Sequence, residues 1–221
     1  MAKQYDLLIR DAQVYDGSGG APVRTDVAVE AERVALVGDA GGAGATIEIA
    51  ADGLALAPGF IDVHTHDDFA ALSHPDMSFK TRGGVTTCIV GNCGFGAAPF
   101  AAAVEIGGDL MSMDDLDPYD GHAGYAAALS QRGLGANIGM LAGHGTFRVA
   151  AMGLDDRVPD DGEMATMKAL LREALDAGVL GLSSGLIYEP GRYAATDEIA
   201  ELAAEMRGTN ALYATHMRDE S

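Results

Sequence analysis

Short apolar stretches separated by turn residues fill the first part of the chain. Leu7–Ile9, Val27–Val29, Val34–Val37 and Ile47–Ile49 are predominantly apolar, and clusters rich in glycine lie between them. Strands of this length bounded by glycine-rich turns are typical of a small antiparallel β region. We therefore predict a first domain of β-strands over residues 1–57.

From residue 58 onward the pattern changes to apolar strands that alternate with helices. The helix Asp161–Asp176 is the clearest, because its apolar residues recur at spacings of three and four and Asp160 or Asp161 can cap it. The predicted strands are Leu56–Val63, Val85–Val90, Ala136–Ala142, Val179–Ser183 and Ala211–Thr215. The other predicted helices are Met77–Arg82, Gly124–Gln131 and Asp197–Arg207. Such alternation indicates parallel βαβ construction.

Five strand and helix repeats correspond to the first part of an α/β barrel with eight strands, the TIM-type (β/α)8 fold. A complete barrel of this kind takes about 250 residues, and here the sequence ends directly after the fifth strand. We therefore predict an incomplete barrel over residues 58–221, truncated after about five strands. One long connection, Phe95–His122, contains the methionine-rich stretch Met111–Met113, a candidate cover for a pocket.

Charge and cysteine content narrow the class of protein. The 221 residues include 14 Lys and Arg against 33 Asp and Glu, a formal net charge of −19, which argues against binding to nucleic acid. No apolar run approaches the roughly 18 residues of a membrane helix. The two cysteines, Cys88 and Cys93, are too few and too close for a disulfide framework, so we predict a cytoplasmic protein.

Four of the six histidines follow predicted strands. His64 and His66 follow the first strand, His144 the third and His216 the fifth. Active sites of such barrels lie at the carboxyl ends of the strands. The His-x-His pair places two imidazoles on the same face of a strand, where both can bind one zinc or related ion. Taken alone, the pair could equally be two surface histidines.

Cys93 follows the second strand within the sequence Gly91-Asn92-Cys93-Gly94. A thiolate there would reach the same end of the barrel as the histidines, and we favour a metal-bound thiolate. Two other interpretations stay open: a small buried apolar residue, or a nucleophile with His144 or His216 as its base.

Five segments in order resemble one known family. The run from Ala57 to Asp68 resembles the first-strand signature of the amidohydrolase superfamily, and residues 1–57 resemble the N-terminal part of its accessory β-sandwich. The complete set resembles the N-acyl-D-amino-acid deacylases, or D-aminoacylases. These segments are APGFIDVHTHDD, GNCG, GHGT, GLSSGLIY and THMR.

The resemblance implies a set of metal ligands. Cys93 and His216 would hold a tight zinc, and His64 and His66 would line a weaker second site. Many amidohydrolases carry a bridging lysine after the fourth strand, where this sequence has Ser183 and Ser184. That difference is shared with the subgroup that uses a cysteine ligand.

The resemblance also implies zinc-dependent hydrolysis of the amide bond of an N-acyl-D-amino acid. Tyr188 would bind the substrate carboxylate, and His144 would orient the acyl amide or support a ligand. The family's catalytic aspartate would lie beyond Ser221, so no catalytic residue is predicted within the chain, and the chain alone is expected to be inactive. Alternatives are hydrolysis of cyclic amides, as in dihydroorotases or hydantoinases, a cysteine hydrolase using Cys93, and a non-catalytic fragment.

Overall fold

A computed structural model gives the fold and describes residues 3–107 and 116–221. Its contacts divide the chain into two compact units, Met1–Gly59 and Phe60–Ser221. The methionine-rich stretch Met111–Met113, a candidate pocket cover, lies outside the described residues.

The first unit contains one mixed sheet of five strands. The strands are β1 (Gln4–Val14), β2 (Val23–Glu30), β3 (Arg33–Gly38), β4 (Gly44–Ala50) and β5 (Ala55–Leu56). β1, β2 and β3 pair antiparallel, but β4 and β5 both pair parallel to β1. The prediction of an antiparallel region is therefore wrong for β4 and β5. The glycine-rich segment before β4 carries the chain across to the far side of β1 and not back alongside β3.

The described residues of the first unit form this single sheet, with a small core of Tyr5, Leu8 and Ala28. A sandwich needs two facing sheets. Residues 1–57 are expected to supply only the N-terminal part of a sandwich, so with a single sheet described the sandwich stays a prediction.

The second unit is α/β, and every strand pairing among its described residues is parallel. Its strands form the sheets β6-β7-β8 and β9-β10-β11. They are β6 (Phe60–Asp62), β7 (Val85–Val90), β8 (Asn137–Met140), β9 (Ala142–Gly143), β10 (Gly181–Gly185) and β11 (Leu212–His216). The amide of Leu141 donates to the carbonyl of Val90 at 2.9 Å, and that of Leu180 to Met140 at 2.7 Å. One predicted strand, Ala136–Ala142, thus serves both sheets as β8 and β9.

The first predicted strand of the barrel is divided. Leu56–Val63 was expected to be one strand, but β5 pairs with β1 in the first unit and β6 pairs with β7 in the second. Pro58 lies between them and has no amide hydrogen to donate to a ladder. A run of apolar residues can therefore belong to two units.

Seven α-helices are assigned among the described residues. They are α1 (Ala70–Ser73), α2 (Ser78–Thr81), α3 (Phe100–Gly107), α4 (Gly121–Arg132), α5 (His144–Met152), α6 (Asp161–Asp176) and α7 (Thr196–Ala203). The α6 prediction is confirmed, and a capping box between Asp160 and Glu163 closes its first turn. α7 ends before Arg207, because residues 204–206 tighten into a 3-10 turn. None of these helices is long and apolar enough to cross a bilayer.

Three helices were not predicted, α1, α3 and α5. Seven of the nine residues of α5 are buried, so its sequence has no alternation of polar and apolar faces. Two apolar cores pack beside the sheets, one around Leu72 and Tyr125 and the other around Phe147 and Leu182.

Candidate metal centre

The strand ends of the second unit bring the four predicted ligands into one region. His64 and His66 follow β6, Cys93 lies in a 3-10 turn after β7, and His216 is the last residue of β11. Carboxyl ends of parallel strands lie at one edge of a sheet, where ligand sites of α/β proteins form.

The distances between these ligand atoms fit zinc. His64 Nε2 lies 3.2 Å from Cys93 Sγ, which lies 3.7 Å from His216 Nδ1. The ligand atoms of His64, His66 and Cys93 all lie within 4.8 Å of one another. A tetrahedral zinc, with Zn–N of about 2.0 Å and Zn–S of about 2.3 Å, separates nitrogen from sulfur by about 3.5 Å. The distances of 3.2 Å and 3.7 Å lie on either side of that value, with the thiol between the imidazoles.

The candidate ligands and two aromatic side chains form a closed ring of contacts, which we call the ring circuit. Cys93 completes it by contacting both His216 and His64. Neighbouring ring centroids are 4.9 to 6.1 Å apart in the order His64, His66, Phe95, Tyr188 and His216. Phe95 was not predicted as a site residue. Its position two residues after Cys93, in the same glycine-rich turn, is the signal that could have found it.

The turn that carries Cys93 is held by backbone contacts. Cys93 has a φ of 55°, a left-handed conformation that few side chains adopt. Ser183 Oγ accepts a hydrogen bond from the Gly94 amide at 3.0 Å and donates to the carbonyl of Gly91. A Cβ at Gly185 would lie 2.0 Å from the carbonyl oxygen of Cys93. Ser183 thus fixes the cysteine turn.

Burial changes the acidity of two ligands. It raises the pKa of the Cys93 thiol, so the thiol stays protonated unless a cation is bound. Burial and then the neighbouring His64 lower the pKa of His66, which favours the neutral imidazole. A neutral imidazole is the form that binds metal.

His216 has a carboxylate partner that was not predicted. Its Nε2 lies 2.7 Å from Glu220 Oε1, while its Nδ1 faces Cys93. A carboxylate that accepts from one imidazole nitrogen leaves the other free for a metal and fixes the ring orientation. Residues 217–220 form no helix, so the spacing of four residues between His216 and Glu220 is not a sequence signal for this contact.

The His144 side chain is not part of the ligand cluster and lies in a buried network. None of its side chain is exposed, and its Nε2 lies 2.8 Å from Glu198, which also accepts from Arg148 at 2.7 Å. Burial by itself raises the pKa of Glu198, but the hydrogen bonds from His144 and Arg148 outweigh it, so that this pKa is lowered. Because α5 starts at His144 and turns its side chain into the core, this position offers no surface to a substrate.

Tyr188 has the opposite character. It is 40% exposed and its ring packs against Phe95 and His216. Arg218 holds the same loop by donating to the carbonyls of Arg192 and Ala194, at 3.2 and 2.6 Å. The predicted substrate residues are therefore separated into one that faces the centre and one that does not.

Residues 48–220 match the amidohydrolase family, so the chain belongs to that family. It is 42% identical over 220 residues to the N-acyl-D-aspartate deacylase of Alcaligenes xylosoxydans xylosoxydans. The aligned region covers 99% of this chain and 44% of the relative. The predicted resemblance to the N-acyl-D-amino-acid deacylases is thereby confirmed.

Two solved structures are similar to the chain. A D-aminoacylase with a binuclear metal centre, for which activation by one metal and attenuation by a second are described, has a TM-score of 0.91 at 36% identity, covering 98% of this chain and 46% of its own. The N-acyl-D-glutamate deacylase from Bordetella bronchiseptica, complexed with zinc and a phosphonate mimic of the tetrahedral intermediate, has a TM-score of 0.87 at 34% identity, covering 99% and 46%. The chain spans less than half the length of these relatives.

Proposed function

We propose that this chain forms the metal-binding part of a zinc-dependent amidohydrolase that cleaves the amide bond of N-acyl-D-amino acids. The observation that carries this proposal is the convergence of His64, Cys93 and His216 at nitrogen–sulfur distances that suit zinc. The N-acyl-D-aspartate deacylase relative and the zinc-bound N-acyl-D-glutamate deacylase support the substrate class.

Each site residue then has a proposed role. Cys93 and His216 hold the tighter zinc, and His64 and His66 line a weaker second site. The 3.2 Å between His64 Nε2 and Cys93 Sγ supports a thiolate shared by the two sites. A bound zinc would supply Lewis-acid activation of water and of the amide carbonyl. Tyr188, exposed beside His216, binds the substrate carboxylate through its hydroxyl, and His144 supports the surrounding loops from within the core.

The proposal also covers the complete fold and the residue that transfers the proton. We infer that strands β6 to β11, with β8 and β9 counted as one barrel strand, are the first part of a (β/α)8 barrel, which the hydrogen bonds linking the two sheets support. The general base is proposed to lie outside these 221 residues, in agreement with relatives more than twice as long. The chain alone should therefore bind zinc and show little or no hydrolysis.

Zinc content tests the ligand set. Wild-type protein washed with chelator and reloaded with zinc should hold near-stoichiometric metal, and Cys93→Ala and His216→Ala should lose it. Cys88→Ala and His74→Ala are matched controls, because Cys88 lies within β7 and His74 is exposed away from the ligands. Full zinc retention by Cys93→Ala would contradict the proposal.

Substrate class is tested on a longer chain that includes the rest of the barrel. Such a chain should hydrolyse N-acetyl-D-aspartate or N-acetyl-D-glutamate and leave the L-enantiomers intact. Hydrolysis of a hydantoin or dihydroorotate in their place would favour the cyclic-amide alternative. The serines Ser183 and Ser184, in place of a bridging lysine, argue against that alternative.

A cysteine hydrolase is the second candidate, because His216, one of the two bases considered for it, has its Nδ1 3.7 Å from the Cys93 thiol. His64, which was not considered as a base, has its Nε2 closer, at 3.2 Å. The raised pKa of Cys93 argues against it, since a nucleophilic cysteine needs a lowered pKa. A chelator should abolish the activity of the longer chain and added zinc should restore it. Activity that survives chelation but not thiol alkylation would favour the cysteine mechanism.

The proposed location is the cytoplasm. Both cysteines, Cys88 and Cys93, are free thiols, which suits a reducing compartment.

A further inference from the structure

A single lysine from α2 reaches the segment that carries the two histidines. Lys80 Nζ lies 2.8 Å from Asp62 Oδ2, 2.9 Å from Asp67 Oδ2 and 3.1 Å from Thr65 Oγ1. These three oxygens belong to one stretch of six residues, in which His64 and His66 occupy positions between them. One ammonium therefore contacts the segment before, between and after the two imidazoles.

All three N–H donors of the Lys80 ammonium have an acceptor. An ammonium has three N–H donors, and three oxygen acceptors lie within hydrogen-bond distance of Lys80. Asp62 also accepts from the backbone amide of His64 at 3.3 Å, so the lysine is connected to the histidine backbone through one carboxylate. The Thr65 amide donates to the carbonyl of Ile89 at 3.3 Å, which ties the same segment to β7.

The side chains of this segment point to two different partners. His64 and His66 lie beside Cys93 in the metal centre, whereas Asp62, Thr65 and Asp67 contact the lysine. Carboxylate oxygens are themselves zinc ligands. Because Asp62 and Asp67 pair with Lys80, their carboxylates are not directed at the metal centre.

We propose that Lys80 is a positioning residue of the metal centre, which fixes the segment Asp62–Asp67 so that His64 and His66 present their imidazoles together. The proposal rests on the metal site of the proposed function and adds a residue that does not itself touch the metal. Partners behind metal ligands affect metal affinity by about 10- to 100-fold when removed.

The test uses three variants of the 221-residue chain. Lys80→Met removes the ammonium but keeps an unbranched side chain of similar length. Lys80→Arg keeps the charge, but a planar guanidinium cannot reproduce three convergent bonds from one nitrogen. Lys168→Met is the matched control, because Lys168 has similar side-chain exposure, 23% against 19%, and pairs with one carboxylate, Glu201, in the same unit.

Two measurements are made on each variant: zinc affinity by competition with a chromophoric chelator, and hydrogen exchange of the amides of His64 and Thr65. Lys80→Met should bind zinc about 10- to 100-fold more weakly than wild type and exchange these amides faster. Lys80→Arg should have a zinc affinity and an exchange rate between those of wild type and Lys80→Met, and Lys168→Met should match wild type in both. Wild-type zinc affinity and wild-type exchange in Lys80→Met would overturn the proposal.

The two proposals fail in different ways. If wild type binds no zinc, the metal site is wrong, yet the exchange of the His64 and Thr65 amides still reports whether Lys80 holds the segment. If Lys80→Met does not fold, Lys80→Arg decides. Wild-type zinc affinity together with wild-type exchange in that variant would then contradict a role that depends on three convergent bonds.

Discussion

The two sides of the candidate metal centre are held by different forces. The Cys93 turn is buried and fixed by close backbone approach, with Ser183 bridging it and Gly185 leaving no space for another atom. The His64–His66 segment is more open, and polar contacts with Lys80 hold it. Changes on the cysteine side should therefore disturb the whole fold, whereas changes on the histidine side should act mainly on the metal.

The largest effect is expected for Gly185→Ala. The added Cβ would lie 2.0 Å from the carbonyl oxygen of Cys93, a backbone atom, so the Cys93 turn or the end of β10 must shift. We expect a loss of about 3 kcal/mol in the free energy of unfolding, together with loss of zinc, measured by urea denaturation and metal analysis. Gly42→Ala is the control, since nothing lies within 4 Å of its added Cβ. Equal stability of the two variants would contradict a packing-controlled turn.

Ser183→Ala should have the next largest effect. It removes the acceptor of the Gly94 amide and the donor to the Gly91 carbonyl, both in a buried turn, at a cost of about 2–3 kcal/mol. Ser184→Ala is a neighbouring control, because Ser184 bonds to the hydroxyls of Tyr213 and Thr215, which water can reach. Only Ser183→Ala should also weaken zinc binding. A similar loss of zinc in both variants would remove the special role of Ser183.

Glu220→Gln should weaken zinc binding without a measurable change in unfolding. Loss of the carboxylate beside His216 Nε2 removes the group that fixes the ring, and we expect about a 10-fold weaker affinity. Glu205→Gln, which alters a surface pair with Arg172, is the control. Competition titrations that give the same affinity for both variants would show that Glu220 has no influence on His216.

The smallest effect concerns pH and lies away from the metal. Burial lowers the pKa of His122, opposed in part by Glu173 at 3.6 Å. Because the unfolded chain, with a histidine pKa of about 6.5, binds the proton more readily, acidification below that value should destabilise the fold. His122→Leu should lose less stability than wild type between pH 7 and pH 5, as followed by denaturation at each pH.

The exposed His74 gives the matching control, since His74→Leu should leave the pH dependence of stability unchanged. Zinc affinity at fixed pH should be the same in both histidine variants. An identical pH dependence in wild type and His122→Leu would mean that His122 is not held neutral by burial.

Local patterns predicted the parts of the fold that repeat. The spacing in α6 and its capping residues predicted a helix that the structure confirms. The pattern did not predict α5, because a buried helix has no polar face, nor the parallel pairing of β4, because turn residues mark where a chain turns and not which strand it joins. The division at Pro58 was missed because apolar residues continue on both sides of it.

The candidate site was predictable to the extent that its residues follow strands. His64, His66, Cys93 and His216 share that property, and the structure brings them together. Lys80 and Ser183 act through contacts between elements distant in sequence, which spacing does not reveal. The burial of His144 depends on a helix whose existence the sequence pattern did not indicate.

The ring circuit also has an optical consequence. The chain contains seven tyrosines and no tryptophan, so its ultraviolet fluorescence comes from tyrosine alone. Tyr188 packs against His216 with ring centroids 4.9 Å apart. A quenching cation such as cobalt(II), arriving at that histidine, should dim the emission of the nearest ring first. The fluorescence of Tyr188 should therefore report metal binding without an added probe. A Tyr188→Phe variant, which lacks this signal, is the control.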